Sequence, residues 1–302
     1  MEPKIENLVL PACSQNLFIL FGAVFLLKNK FWNITDLKTI HGCSAGAFVA
    51  IFILLDIDTS ILENYLIDRP WYNLLPKFSN LFNIFQSENG LLDKSILYKA
   101  FDPLFKIKNI DININLLDFF TITQKQLYIY TSDIIDFKEV ILNHETHPDL
   151  PLIDAIYMSC SIPIIFKPIT YNNKIYIDGA VFNHHPSHNL ATNTKYNTIL
   201  FKMHDFYINH PHFLNIYDFI QFLLFNCFKN MQHETYISFK YQVYLTELPI
   251  TNPLDIKLWR LFFYSKEYRK NNIETGKQYS RLFLSKYEIN KQINNINNKI
   301  TS

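Results

Sequence analysis

The sequence predicts an α/β fold of three layers, in which a mostly parallel central sheet is flanked by helices. Short β-branched or aromatic runs alternate with longer stretches of helical apolar spacing, which is the pattern of a parallel sheet covered on both faces. A G-x-S-x-G pentapeptide, Gly42-Cys43-Ser44-Ala45-Gly46, joins an apolar run to a helix-like run. The chain has 302 residues with 49% apolar content, enough to bury the core such a sheet requires.

Residues 9–10, 39–41, 126–131, 139–142, 174–177 and 198–203 read as strands. Helical spacing or length occupies 16–30, 45–55, 91–104 and 152–160, the third after the turn residue Gly90. After residue 204 the character changes. The stretch 213–228 is nearly continuous aromatic and aliphatic, and 258–264 carries Trp259, Phe262 and Phe263 among Lys257, Arg260 and Lys266. A helix apolar all round is buried or meets lipid, and burial is the expectation here. The organisation is one α/β domain over 1–288, helically elaborated from about 204, then an Asn-rich tail at 289–302 expected to be disordered.

Charge excludes one class of partner. Lys+Arg 28 against Asp+Glu 27 leaves a net charge of +1, without the basic field that nucleic acid selects. The four cysteines, at 13, 43, 160 and 227, form no C-x-x-C pair, which suits free thiols in a reducing compartment. Met1-Glu2-Pro3-Lys4 with a short apolar run from Leu8 makes a poor secretory signal, and the uncharged stretch 17–27 is too short to span a bilayer. The expected location is intracellular, either cytoplasmic or peripherally on a membrane. Phe 27 and Tyr 18 against Gly 6, with abundant Asn, Ile and Lys, suit an AT-rich source such as a large DNA virus or a protist.

Glycine is scarce, so its placement is informative. A serine at the apex of a tight strand-to-helix turn leaves no room for side chains beside it, which Gly42 and Gly46 satisfy around Ser44. A serine that merely caps the helix starting at Ala45 has the same local pattern. Asp178-Gly179-Ala180 follows the strand 174–177, placing a carboxylate at a strand end beside a glycine that permits close approach. Such an aspartate can accept a serine proton directly, and an Asx turn closing a hairpin is the alternative. His184, His185 and His188 offer a Ser-His-Asp triad, but the usual order of Ser, acid, then a distant histidine counts against it. Zinc binding by His184 and His188 is disfavoured by Pro186 between them. No metal or cofactor is expected.

Three stretches together resemble the patatin-like phospholipases: Gly42-Cys43-Ser44-Ala45-Gly46-Ala47, Asp154 to Pro163 with Phe166-Lys167-Pro168, and Tyr176-Ile177-Asp178-Gly179-Ala180. Leu8-Val9-Leu10, Gly22 and Gly276 also fall where that family places them, and the similarity runs from about 7 to 190, more weakly to 285. The resemblance implies a patatin-like fold and a lipid acyl hydrolase of phospholipase A or lysophospholipase type, acting on phospholipid or another acyl-ester lipid. Ser44 would be the nucleophile and Asp178 its base, with Gly42, Gly46 and Gly179 supporting the turns. The family's glycine-rich oxyanion loop is here Pro11-Ala12-Cys13-Ser14-Gln15-Asn16-Leu17, without a glycine. The expected donors are the N–H groups of Ala12, Cys13, Ser14 and Ala45, with the side chains of Ser14 and Asn16 as substitutes. A loop position needing φ > 0 costs a non-glycine residue about 1 kcal/mol or more. That departure keeps open a second reading, a catalytically impaired protein of the same fold that binds lipid or a partner. Trp259, Phe262 and Phe263 beside their basic neighbours would form an interfacial anchor, or else pack on the sheet.

Overall fold

In the computed structural model, described over residues 3–75, 89–187, 190, 192–203, 216–231, 238–245 and 254–300, the chain enters directly into β1 (Asn7–Leu10), whose residues are all buried. Consecutive apolar residues suit a strand covered on both faces. Then follow α1 (Leu17–Leu27), β2 (Thr39–Cys43), α2 (Ala45–Leu54), α3 (Thr59–Asp68), β3 (Gly90–Leu92), α4 (Ser95–Ile107) and α5 (Leu116–Thr123). The middle of the chain forms β4 (Gln126–Asp133), β5 (Lys138–Leu142), α6 (Leu152–Cys160), β6 (Ile164–Phe166), β7 (Ile169–Tyr171) and β8 (Lys174–Asp178). The last elements are β9 (Thr198–Lys202), α7 (Ile216–Met231), β10 (Tyr241–Tyr244), α8 (Ile256–Tyr264) and α9 (Lys266–Ile300).

The central sheet has the order β10-β9-β1-β2-β4-β8-β7, with β5 also paired to β4. Strands from β10 to β4 run parallel, whereas β5, β8 and β7 are antiparallel to their neighbours. The α/β class with flanking helices is therefore as predicted, and the antiparallel strands arise from the hairpins β4–β5 and β7–β8. From β1 the chain moves to β2 on one side and later returns to β9 on the other. Such a reversal of strand order opens a crevice at the carboxyl ends of the strands.

Helix α1 packs between α2 and the long α9. Its crossing with α9 depends on glycines. A Cβ on Gly22 would lie 2.1 Å from Ile273 O, and one on Gly276 would lie 1.9 Å from Ile19 O. Only residues without a side chain let these backbones meet.

Several elements differ from the sequence reading. The predicted helix at 91–104 divides: Gly90–Leu92 pairs in parallel with Ile164–Phe166, and the helix begins only at Ser95, whose N–H is accepted by Asp93 at 2.9 Å. Pro103 is tolerated inside α4 because Lys99 O, deprived of its helical donor, accepts from Arg69 Nη2 at 2.6 Å. The expected helix 16–30 is shorter, ending before Asn29 at φ 62. Helix α9 continues through the Asn-rich stretch assigned to a disordered tail, as no glycine or proline lies between 277 and 300 to stop it. Helix α7 is not the buried helix expected from 213–228, because Phe219, Ile220 and Leu223 are 40%, 42% and 45% exposed. Among the described residues no helix is long and apolar enough to cross a membrane.

Candidate active site

Strand β2 ends at Cys43 and α2 begins at Ala45, leaving Ser44 alone at the turn with φ 53 and ψ −122. A non-glycine residue held there stores about 1–3 kcal/mol of backbone strain, and surrounding contacts must impose it. A Cβ on Gly46 would sit 2.2 Å from Leu10 O, so glycine there draws the start of α2 onto the end of β1. Gly42 is equally confined, by Ala47 Cα at 2.7 Å. Ser159, which the sequence reading did not single out, fixes the turn from α6. Its Oγ accepts the Ser44 N–H at 2.8 Å and donates to Tyr130 O at 2.6 Å.

Strand register brings Asp178 to this turn. Cys43 pairs with Tyr130, which places Ser44 level with Thr131, and Thr131 pairs with Asp178. Gly179 allows the approach, since its Cβ would lie 2.2 Å from Tyr130 O and 2.8 Å from Cys43 Sγ. Ser44 Oγ donates to Asp178 Oδ2 at 2.6 Å, and Ala180 N–H donates to Oδ1 at 2.8 Å. The aspartate backbone is held as well, its carbonyl accepting Ser132 Oγ at 2.9 Å and its N–H donating to Ser161 O at 3.0 Å.

Burial dominates the electrostatics. Asp178 is 3% exposed. Desolvation pushes its carboxyl up to about 7, outweighing the hydrogen bonds from Ser44 and Ala180 that favour the anion. The thiols of Cys13, Cys43 and Cys160 are pushed upward by burial and then by the nearby Asp178 charge, so they stay protonated and unreactive.

His184 and His185, near Asp178 in sequence, make contacts away from Ser44. His184 is buried and held neutral, desolvation lowering it to about 3, and its carbonyl accepts Ala12 N–H at 3.0 Å. His185 Nε2 accepts Met203 N–H at 3.1 Å. His188, the third histidine of the triad and zinc alternatives, lies outside the described residues. Among the described residues the hydroxyl of Ser44 meets a carboxylate and not an imidazole.

The loop expected to receive the oxyanion follows β1. Ala12 gives its N–H to His184 O, so it departs from the expected donor set. The N–H groups of Cys13, Ser14 and Ala45 take no partner among the described residues. Ser14 has φ 47, so the backbone strain anticipated for this loop falls on that residue. Its Oγ is buried and has no partner among the described residues.

Beside Ser44 opens a cavity lined almost wholly by apolar atoms, with Ser14 and Ala45 in its wall. Phe48, Leu66, Trp71 and Leu97 line it, and so do Trp259, Phe262 and Phe263 from α8. These α8 aromatics therefore face the cavity instead of forming the outward anchor. Asn16 does not line it.

A family model described as patatin-like phospholipase matches residues 35–191. The chain is 32% identical over 191 residues to "Probable lipid hydrolase 463L" of Invertebrate iridescent virus 6, covering 62% of this chain and 63% of that protein. It is 24% identical over 199 residues to an uncharacterized protein of Acanthamoeba polyphaga mimivirus, covering 61% of each. The chain thus spans about three fifths of the length of these relatives. Among solved structures, VipD from Legionella pneumophila shares the fold with a TM-score of 0.54 at 14% identity, over 94% of this chain and 67% of that one.

Proposed function

The chain belongs to the patatin-like phospholipase family, and from that membership we propose that it hydrolyses acyl esters of lipids through a Ser44–Asp178 dyad, as a phospholipase A or lysophospholipase. The observation that carries the reading is the 2.6 Å contact of the Ser44 hydroxyl with a buried carboxylate at an apolar cavity. Asp178 takes the proton as Ser44 Oγ attacks the ester carbonyl, and N–H groups from Cys13, Ser14 and Ala45 receive the oxyanion. The carboxyl returns its proton to the leaving alcohol, giving an acyl-enzyme. Water then attacks that ester, its proton passing to Asp178, and the fatty acid leaves with Ser44 restored. A carboxyl raised to about 7 has the basicity for both transfers near neutral pH, which an ordinary aspartate lacks.

The cavity supports an acyl chain as the recognised group, since it offers little for a head group to bond. Contact with a lipid surface belongs to the same proposal. On the outer face of α8, Leu261 and Tyr264 are exposed, Tyr72 stacks on Tyr264 at 5.5 Å, and Lys257 and Arg260 are exposed beside them. An apolar patch with a basic rim suits an anionic bilayer.

Labelling by a fluorophosphonate probe tests the dyad in wild type and in folded Ser44→Ala and Asp178→Asn variants. Loss in the first and reduction in the second are expected. The diversion of Ala12 N–H to His184 favours a second reading, a lipid-binding protein with impaired catalysis. Folded wild type that binds fatty acid but resists the probe would establish that reading instead.

A further inference from the structure

We propose that the side-chain hydroxyl of Ser14 is itself a catalytic donor to the oxyanion, replacing a backbone donor that this loop lacks. The proposal rests on the acyl-transfer reading of the same site and adds a side-chain donor to it.

The loop has lost an amide from its donor set, because Ala12 N–H is committed to His184 O at 3.0 Å. Two residues later, Ser14 Oγ is buried without a partner in the wall of the cavity that also contains Ser44 and Ala45. Buried hydroxyls are nearly always bonded, so one with no partner among the described residues, in the wall of the cavity that Ser44 also lines, has a donor to give there. The oxyanion of a tetrahedral intermediate is an acceptor created at that place during turnover.

The backbone at Ser14 gives independent support. At φ 47, glycine would supply the same N–H without strain, so a position that contributed only its amide would favour glycine. Serine there adds one thing, a hydroxyl. The loop is also held firmly enough to aim it: Leu17 N–H bonds to Ser14 O, and Asn16 N–H donates to Cys13 O at 2.9 Å. Asn16, the other side chain able to donate, does not line the cavity.

Steady-state hydrolysis of p-nitrophenyl octanoate separates hydroxyl from backbone. Ser14→Ala should lower kcat by about 10- to 100-fold with KM little changed, the behaviour of an interaction made in the transition state. Ser14→Gly should fall as far, even though it relieves the backbone. A trifluoromethyl ketone, which forms an oxyanion on Ser44, should lose affinity for both variants, while the corresponding methyl carbinol should bind as before. Ser14→Gly that turns over as fast as wild type, or faster, overturns the proposal and leaves the dyad intact. Wild type that a fluorophosphonate does not label overturns the dyad reading, and this proposal with it.

Discussion

Ser159 Oγ bridges Ser44 N–H and Tyr130 O, at 2.8 and 2.6 Å, and so ties the strained turn to the strand beside it. The bridge spans three elements, because Ser159 lies on α6, Tyr130 on β4, and Ser44 between β2 and α2. Removing the hydroxyl deprives the buried Ser44 N–H of its acceptor and Tyr130 O of one donor. Ser159→Ala should lower stability by about 1–3 kcal/mol in urea unfolding. It should also slow fluorophosphonate labelling of the fraction that stays folded, as Ser44 relaxes from φ 53. Unchanged labelling would remove Ser159 from the positioning of the nucleophile.

The Asp178 carboxyl, pushed up to about 7 by burial, makes reactivity depend on pH. In the proposed dyad its basic form is the active one, so the labelling rate should rise with pH through a midpoint near 7 and stand about tenfold below its high-pH plateau one unit under that midpoint. A midpoint below 5 would show a carboxyl that burial does not perturb.

The same shift sets a stability slope. The folded value of about 7 exceeds the ordinary 3.8, so between the two the folded state holds the extra proton. The contribution of this group is therefore most favourable at low pH, falls as pH rises, and is fully lost above 7. Asp178→Asn has no carboxyl to titrate at this position. Its Tm relative to wild type should increase from pH 5 to pH 8, measured by circular dichroism, and a constant difference would refute the linkage.

The cavity predicts chain-length selection. Ala100 lines it and is 4% exposed, so Ala100→Leu places added bulk along the proposed path of the acyl chain. Hydrolysis of long-chain p-nitrophenyl esters should fall by about tenfold or more in kcat/KM, a loss of ~1–3 kcal/mol, while the acetate is cleaved nearly as before. Equal losses for both esters would mean that the chain lies elsewhere.

The crossing of α1 and α9 should tolerate no side chain at its centre. In Gly22→Ala the new Cβ would meet Ile273 O at 2.1 Å, so the helices must move apart. Thermal unfolding should show a destabilisation of about 1–3 kcal/mol or more, despite the higher helix propensity of alanine. A variant as stable as wild type would show that α9 does not depend on this contact.

The sequence by itself determined the features set by local sterics. Gly42 and Gly46 announce a crowded turn at Ser44, Asp178-Gly179 announces a carboxylate at a crowded strand end, and alternating strand and helix periods announce the α/β class. Each signal lies within a few residues, because the clash it avoids is with its own turn or with the element beside it. What only the tertiary structure decided rests on partners far apart in the chain. Ser159 supports Ser44 from 115 positions away, and Ala12 loses its N–H to His184 across the fold. The short β3 is a strand because β6 is there to pair with it, and the apolar face of α8 turns inward because the cavity receives it. The basicity of Asp178 comes from a burial to which no single segment commits the chain. Periodicity encodes how a segment can pack, whereas the partner it packs against is chosen only when the whole chain closes.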